Sequence, residues 1–180
     1  MRLFIAINFS DEIKNSIYSV IRELKVLSIK GNFVEYHNLH LTLSFLGELP
    51  SADLVKKAMN MAVKTANQGE FTITVKGLSK FRRREGDILF ANIEENESLY
   101  HLQKCLTKEL EACGFQVEDR EYKPHLTLAR KTVMQETFKL EQYEMQMQAV
   151  QQKVTKICLM KSERIKGELM YTEVYEEELV

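Results

Sequence analysis

His40-Leu41-Thr42-Leu43 and His125-Leu126-Thr127-Leu128 are the same tetrapeptide, and half of the four histidines in the chain stand in its two copies. The repetition reads as an internal duplication. Each copy lies in a strand-like run, residues 39–46 and 122–129. Alternate side chains of a strand point to opposite faces. His40, Thr42 and Ser44 are therefore expected on one face, with Leu39, Leu41, Leu43 and Phe45 on the other. The second copy sets His125, Thr127 and Ala129 against Leu126 and Leu128. The copies stand nearly half a chain apart, which predicts one motif per lobe and the two polar faces meeting in a cleft.

The segments around the repeats read as alternating strands and helices. Met1 to Phe9 is a short apolar run that enters Ser10-Asp11-Glu12 without a small-residue cleavage site, so it is expected to be a buried strand and not a signal peptide. Ser10 caps a helix carrying Ile13, Ile17, Val20, Ile21 and Leu24, and Gly31 lies beyond its end. Residues 33–36 read as a strand. Ser51 caps a second helix with Leu54, Ala58, Met61, Ala62 and Thr65 on its apolar face, ended by Asn67-Gln68-Gly69. Residues 71–75 and 88–93 form a strand pair around the charged turn Arg82-Arg83-Arg84-Glu85-Gly86-Asp87. Asn96 caps a third helix with Leu99, Leu102, Leu106 and Leu110, stopped by Gly114. Residues 115–117, 150–160 and 169–175 read as further strands, and Pro124 stands at the entrance of the second motif strand. Strands outnumber helices and do not alternate with them regularly. The fold class expected is α+β, bilobal, with two mostly antiparallel sheets, helices outside and a central cleft. Residues 1–180 are expected to form one such domain.

Bulk properties narrow the function. A chain of 180 residues, 44% hydrophobic and 28% charged, belongs with ordinary globular proteins. Its net charge of −1 lacks the basic surplus of proteins that track long nucleic acids. A substrate gripped at one end or one phosphate fits better. Cys105, Cys113 and Cys158 are scattered, with no CxxC and no zinc-like spacing, and read as reduced thiols in a cytoplasmic protein. No apolar run is long enough to span a membrane.

The polar faces carry chemistry. Histidine titrates near neutrality, so one neutral imidazole can take a proton from water while a charged one protonates a leaving oxygen. Residues i and i+2 of a strand lie about 7 Å apart, so one phosphate reaches both His and Thr of a copy. The Thr hydroxyls would orient a phosphoester for in-line attack. No Asp or Glu stands on either motif face, which argues against Mg²⁺ or a two-metal site. A zinc site on His40 and His125 lacks a third ligand on either strand. Neither a metal nor a cofactor is expected.

With these residues in view, the chain resembles the 2H phosphoesterase superfamily, and more closely its RNA 2′,3′-cyclic phosphodiesterase (2′-5′ RNA ligase-like) branch. The matching blocks are Met1-Arg2-Leu3-Phe4-Ile5-Ala6-Ile7, Leu39 through Glu48, Gly114-Phe115, Pro124 through Arg130, and a tail with Ser162, Gly167 and Tyr171. The resemblance implies His40 as proton donor, His125 as proton acceptor, and Thr42 and Thr127 on the phosphate. Local symmetry makes the two histidines equivalent on paper, so only the resemblance assigns their roles. It also implies Arg130 as a substrate contact, although strict alternation turns Arg130 away from the cleft unless the strand bends. Ser44 stands where relatives often carry a basic residue, and Arg82 follows Phe81 where many have Pro. Both bear on how the rest of the substrate binds.

The implied reaction is hydrolysis of RNA 2′,3′-cyclic phosphate ends to 2′-phosphates, with 2′-5′ ligation as its reverse. The alternatives are the same chemistry on a small cyclic nucleotide or a 2′-5′ linkage, and a non-catalytic module that binds RNA ends. Phe81 or Tyr122 is a candidate for stacking a terminal base. The Arg82-Arg83-Arg84 turn is a solvated hairpin with RNA-phosphate contact as the alternative. His37 reads as a loop residue and His101 as a helix-surface residue. The expected partner is an RNA 3′ end or a nucleotide bearing a cyclic phosphate, met by a monomer.

Overall fold

The structure is a computed structural model that describes residues 1–180. Its elements run β1 (Arg2–Asn8), α1 (Asp11–Val26), β2 (Ser28–Phe33), a 3₁₀ turn (Tyr36–Asn38), β3 (His40–Glu48), α2 (Asp53–Ala66), β4 (Phe71–Phe81), β5 (Asp87–Ile93) and α3 (Glu97–Ala112). Then come β6 (His125–Met134), α4 (Leu140–Glu144), β7 (Val150–Val154), β8 (Lys156–Ile165) and β9 (Glu168–Glu178). The strands form two antiparallel sheets, one in the order β3-β1-β8-β9 and the other β2-β6-β5-β4-β7. This is the α+β architecture expected, with one motif strand in each sheet.

The helices form where caps and apolar spacing agree. The Ser10 hydroxyl accepts from the Ile13 amide, and α1 buries Ile13, Ile17, Ile21 and Leu24. Asn96 accepts from the Leu99 amide, and α3 buries Leu99, Leu102, Cys105, Leu106 and Leu110. Asn67 ends α2 in the left-handed conformation at φ 43°. A core of 34 buried residues joins these faces to both sheets, from Leu3 and Ile5 to Leu89 and Leu126. Beneath the motifs, Leu41, Leu43, Leu126 and Leu128 are buried.

Several expectations are corrected. The strand expected at 33–36 runs instead from Ser28 to Phe33, so Gly31 lies within a strand and Leu27 closes α1. α2 turns a different face inward: Val55, Met59 and Val63 are buried, while Leu54 and Met61 are exposed. Adjacent apolar residues such as Leu54-Val55 allow two helical phases, and packing against α3 selects one. Residues 115–117 form no strand, and α4 forms in the polar stretch after β6. The run 150–160 is two strands: β7 joins one sheet and β8 the other. The change is visible in burial, which alternates up to Val154 and becomes continuous from Ile157 to Met160.

Strict alternation also fails in both motif strands, at the same place. Ala6 pairs with Thr42 but Ile5 with Ser44, which leaves Leu43 as an extra residue. Phe90 pairs with Thr127 but Leu89 with Ala129, which leaves Leu128 extra. Each is a one-residue bulge following the motif threonine, and a bulge reverses the facing of the residues just beyond it. The carbonyls at both bulges are satisfied: Gln103 from α3 donates to Leu43 at 3.4 Å, and the Val34 amide donates to Leu128 at 2.9 Å.

Candidate functional site

The bulges decide which side chains share the histidine face. Residues directly opposite in an antiparallel pair share a face, so Ser44 follows core residue Ile5 and Phe45 follows Phe4. Ser44 is accordingly 7% exposed and Phe45 56%. Ser44, expected as a substrate contact on the polar face, lies on the core side, and Phe45 takes its place. In β6 the same slip buries Ala129 opposite Leu89 and leaves Arg130 exposed on the side of His125 and Thr127. The strand bend that an Arg130 contact requires is this bulge.

β3 packs against β6, which brings the two motif faces together. Each histidine is held in the same way. His40 Nδ1 donates to the Asn38 carbonyl at 2.7 Å, and His125 Nδ1 to the Lys123 carbonyl at 2.8 Å, in each case two residues upstream. Each ring sits beside two aromatic rings. Phe4 and Tyr171 flank His40 at 4.9 and 5.1 Å, and Phe81 and Phe90 flank His125 at 5.4 and 5.3 Å. With Nδ1 occupied, Nε2 is the nitrogen left to other partners in both rings. At His40 it lies 3.0 Å from the Thr42 hydroxyl.

Burial holds the His40 imidazole below its ordinary pKa of 6.5, and the Asn38 carbonyl partly offsets this. The charges of Arg130, His125 and Lys14 add to the lowering. Arg130, His125 and Lys14 thus set positive charge near the His40 ring. The cysteine on this face, Cys158, is buried against Phe4 and Met160, and burial pushes its thiol up to about 12, which keeps it protonated. No group of three His, Cys, Asp or Glu side chains is arranged to hold a metal ion.

The profile of the 2′-5′ RNA ligase superfamily matches residues 9–166, from the end of β1 to the turn before β9. The chain belongs to the 2′-5′ RNA ligase superfamily. Within that superfamily it is 32% identical over 131 residues to a Thermotoga maritima protein named RNA 2′,3′-cyclic phosphodiesterase, covering 72% of this chain and 70% of that one. A Methanothermobacter thermautotrophicus protein of the same name is 28% identical over 179 residues, covering 97% and 96%. Among solved structures, E. coli LigT complexed with 3′-AMP is similar at a TM-score of 0.77 and 27% identity, covering 99% of this chain and 97% of that one. No helix is long and apolar enough to cross a membrane.

Other candidate residues of this superfamily member fall into two groups. Phe81 stacks on Phe90 at 4.3 Å and lines a cavity of about 220 Å³ with His125, Asn92 and Tyr100. Tyr122 does not line that cavity. Its hydroxyl donates to the Thr42 carbonyl at 2.9 Å, so it ties the approach to β6 onto β3. His37 is exposed in the 3₁₀ turn, and His101 lies 3.2 Å from the Ala66 carbonyl at the end of α2.

Asn38 escapes sequence reasoning. It is 5% exposed, and its amide donates to the Leu169 carbonyl at 2.8 Å while its oxygen accepts from the Tyr171 amide at 3.1 Å. That pair fastens the turn carrying the His40 anchor to β9. A buried asparagine two residues before a strand histidine is a weak signal, because its partners come from the far end of the chain.

Proposed function

We propose that this protein hydrolyses RNA ends bearing a 2′,3′-cyclic phosphate, leaving a 2′-phosphate, by acid–base catalysis between His40 and His125. The observation that carries the reading is the matched pair of imidazoles, each fixed through Nδ1 and presented through Nε2 on strands that pack together. The names of the relatives support the substrate class.

In the reaction a water oxygen bonds to phosphorus as the bond from phosphorus to the ribose 3′ oxygen breaks. His125 Nε2 takes a proton from the water, and His40 Nε2 gives one to the departing oxygen. Thr42 and Thr127 donate to nonbridging oxygens, and Arg130 offsets their charge. His40 is biased toward its neutral form in the free protein. A bound phosphate corrects that bias, since an anion beside the ring favours the imidazolium. The same steps reversed constitute 2′-5′ ligation, and water at high concentration favours hydrolysis. The cavity beside His125 is sized for a single base, and Phe81 supplies its stacking face.

The test is turnover of an oligoribonucleotide ending in a 2′,3′-cyclic phosphate, with EDTA present. Sustained turnover that falls in both His40→Ala and His125→Ala is the expected result. Binding without turnover in the unaltered protein would instead favour a module that holds RNA ends.

A further inference from the structure

A second cavity, of about 650 Å³, lies at the β4–β5 hairpin and is separate from the one beside His125. Lys30, Lys80, Arg83, Arg84 and Lys139 line it. Three carboxylates line it as well, but Asp87 is engaged by Lys80 at 3.5 Å and Glu85 by Lys131 at 3.3 Å. Glu141 is the one left facing four cations that have no ion-pair partner. In a chain of net charge −1 this is a local concentration of positive groups.

The wall contains one unexplained polar group. Thr132 is 3% exposed and its hydroxyl has no hydrogen-bond partner. An unmade buried hydrogen bond is costly, so this hydroxyl has room for a partner, whether water, ion or ligand. The backbone beside it is built for close approach. Gly86 has φ +121°, and a Cβ there would stand 2.6 Å from the Lys131 carbonyl carbon, so the hairpin presses directly on β6.

The hairpin tip lies between this cavity and the histidine face. Phe81, the last residue of β4, meets the His125 ring edge-on. Arg83 lines the cavity while its guanidinium lies 5.5 Å from the centre of the Phe81 ring. The hairpin tip thus borders both spaces.

We propose that this cavity binds the backbone phosphates on the 5′ side of the terminal nucleotide, so that the protein selects RNA chains over free cyclic nucleotides. This rests on the RNA-end reading above. The last base lies against Phe81, the chain passes over the tip at Arg83, and the next phosphates meet Arg84 and Lys139, with the Thr132 hydroxyl behind them in the wall. Such contacts hold the backbone and carry no base preference.

The experiment compares kcat/KM for a 2′,3′-cyclic mononucleotide and for an octaribonucleotide with the same end, across a salt series. In the unaltered protein the octamer should be favoured by about tenfold or more, a preference that falls as salt rises. Arg84→Ala/Lys139→Ala should bring the two substrates close to parity by slowing the octamer alone, with a salt slope shallower by about 1.4, at about 0.7 per single-strand phosphate contact. Thr132→Val keeps the shape, loses the hydroxyl, and should lower the octamer preference by a smaller factor. Equal kcat/KM for the two substrates in the unaltered protein, or an unchanged ratio in both variants, overturns the subsite and leaves the proposed reaction standing. Failure to turn over either substrate overturns the reaction and the subsite together. Inhibition of mononucleotide turnover by tripolyphosphate, lost in Arg84→Ala/Lys139→Ala, would overturn the RNA assignment and identify a free phosphorylated ligand instead.

Discussion

His40 and His125 stand at the same position of the same tetrapeptide, on strands that bulge after the same threonine, but their surroundings differ. His40 hangs from a carbonyl whose own residue is buried and clamped to β9. Its Nε2 meets the Thr42 hydroxyl, and burial holds its pKa below the ordinary histidine value. His125 hangs from the carbonyl of the exposed Lys123 and faces a cavity of about 220 Å³. A duplicated strand therefore supplies two imidazoles with one geometry, and the neighbouring strands make them unequal. In the proposed reaction one imidazole must be charged and the other neutral in the same complex, so the anion has to offset the lowering at His40 before that ring can give a proton.

The largest effects should come from the histidines. Either one replaced by Ala is expected to lose about 10²–10⁴ in kcat/KM on a cyclic-ended oligonucleotide. A diester with a p-nitrophenolate leaving group separates their roles, because that group departs without a proton. His40→Ala should regain much of its deficit on this substrate and His125→Ala should not; the opposite pattern would reverse the donor and acceptor.

Asn38 tests whether the clamp matters to one copy alone. Asn38→Ala leaves two backbone groups of β9 unpaired and should cost roughly 2 kcal/mol of stability, read as a Tm drop of ~4–8 °C. Freeing the carbonyl that orients His40 should also lower kcat by about tenfold with KM nearly unchanged. A stability loss with kcat intact would reduce Asn38 to a purely structural clamp.

The pH dependence of stability gives a subtler distinction. The folded His40 has a lowered pKa, so below 6.5 the unfolded chain binds more protons than the native one. The resulting stabilisation is fully present above 6.5 and is lost as pH falls toward the folded value. Thermal melts should therefore show a decline below that pH, shallower in His40→Gln. Inorganic phosphate, by favouring the imidazolium, should shallow it in the unaltered protein as well.

The smallest effects probe the tie between copies and the bulge. Tyr122→Phe removes the bond to the Thr42 carbonyl and should cost about 1 kcal/mol, measured by denaturant titration. Ser44→Ala, on the core side of its bulge, should change kcat/KM by less than about twofold. A large loss there would contradict the facing that the register assigns.

Much of this site was legible along the chain. The alternation around each motif defined the strands, and Leu41, Leu126 and Leu128 lie in the core as their spacing predicts. Ser10 and Asn96 marked two helix starts because capping is chemistry between residues three apart. Prediction broke down where a choice depended on a distant partner. The inward face of α2 was set by α3, and the split of residues 150–160 by which sheet offered each half a neighbour. Ser44 was misplaced because a bulge is a property of two strands.

The amino-acid sequence by itself determined the duplication, the α+β class and the two His–Thr pairs, since each is written in residues a few positions apart. Only the tertiary structure decided that Arg130 and Phe45 turn toward the histidines, that Asn38 and Tyr171 support His40, and that a basic cavity opens behind Phe81. Those outcomes depend on pairing register and on contacts between segments as far apart as Asn38 and Tyr171, which no local pattern encodes.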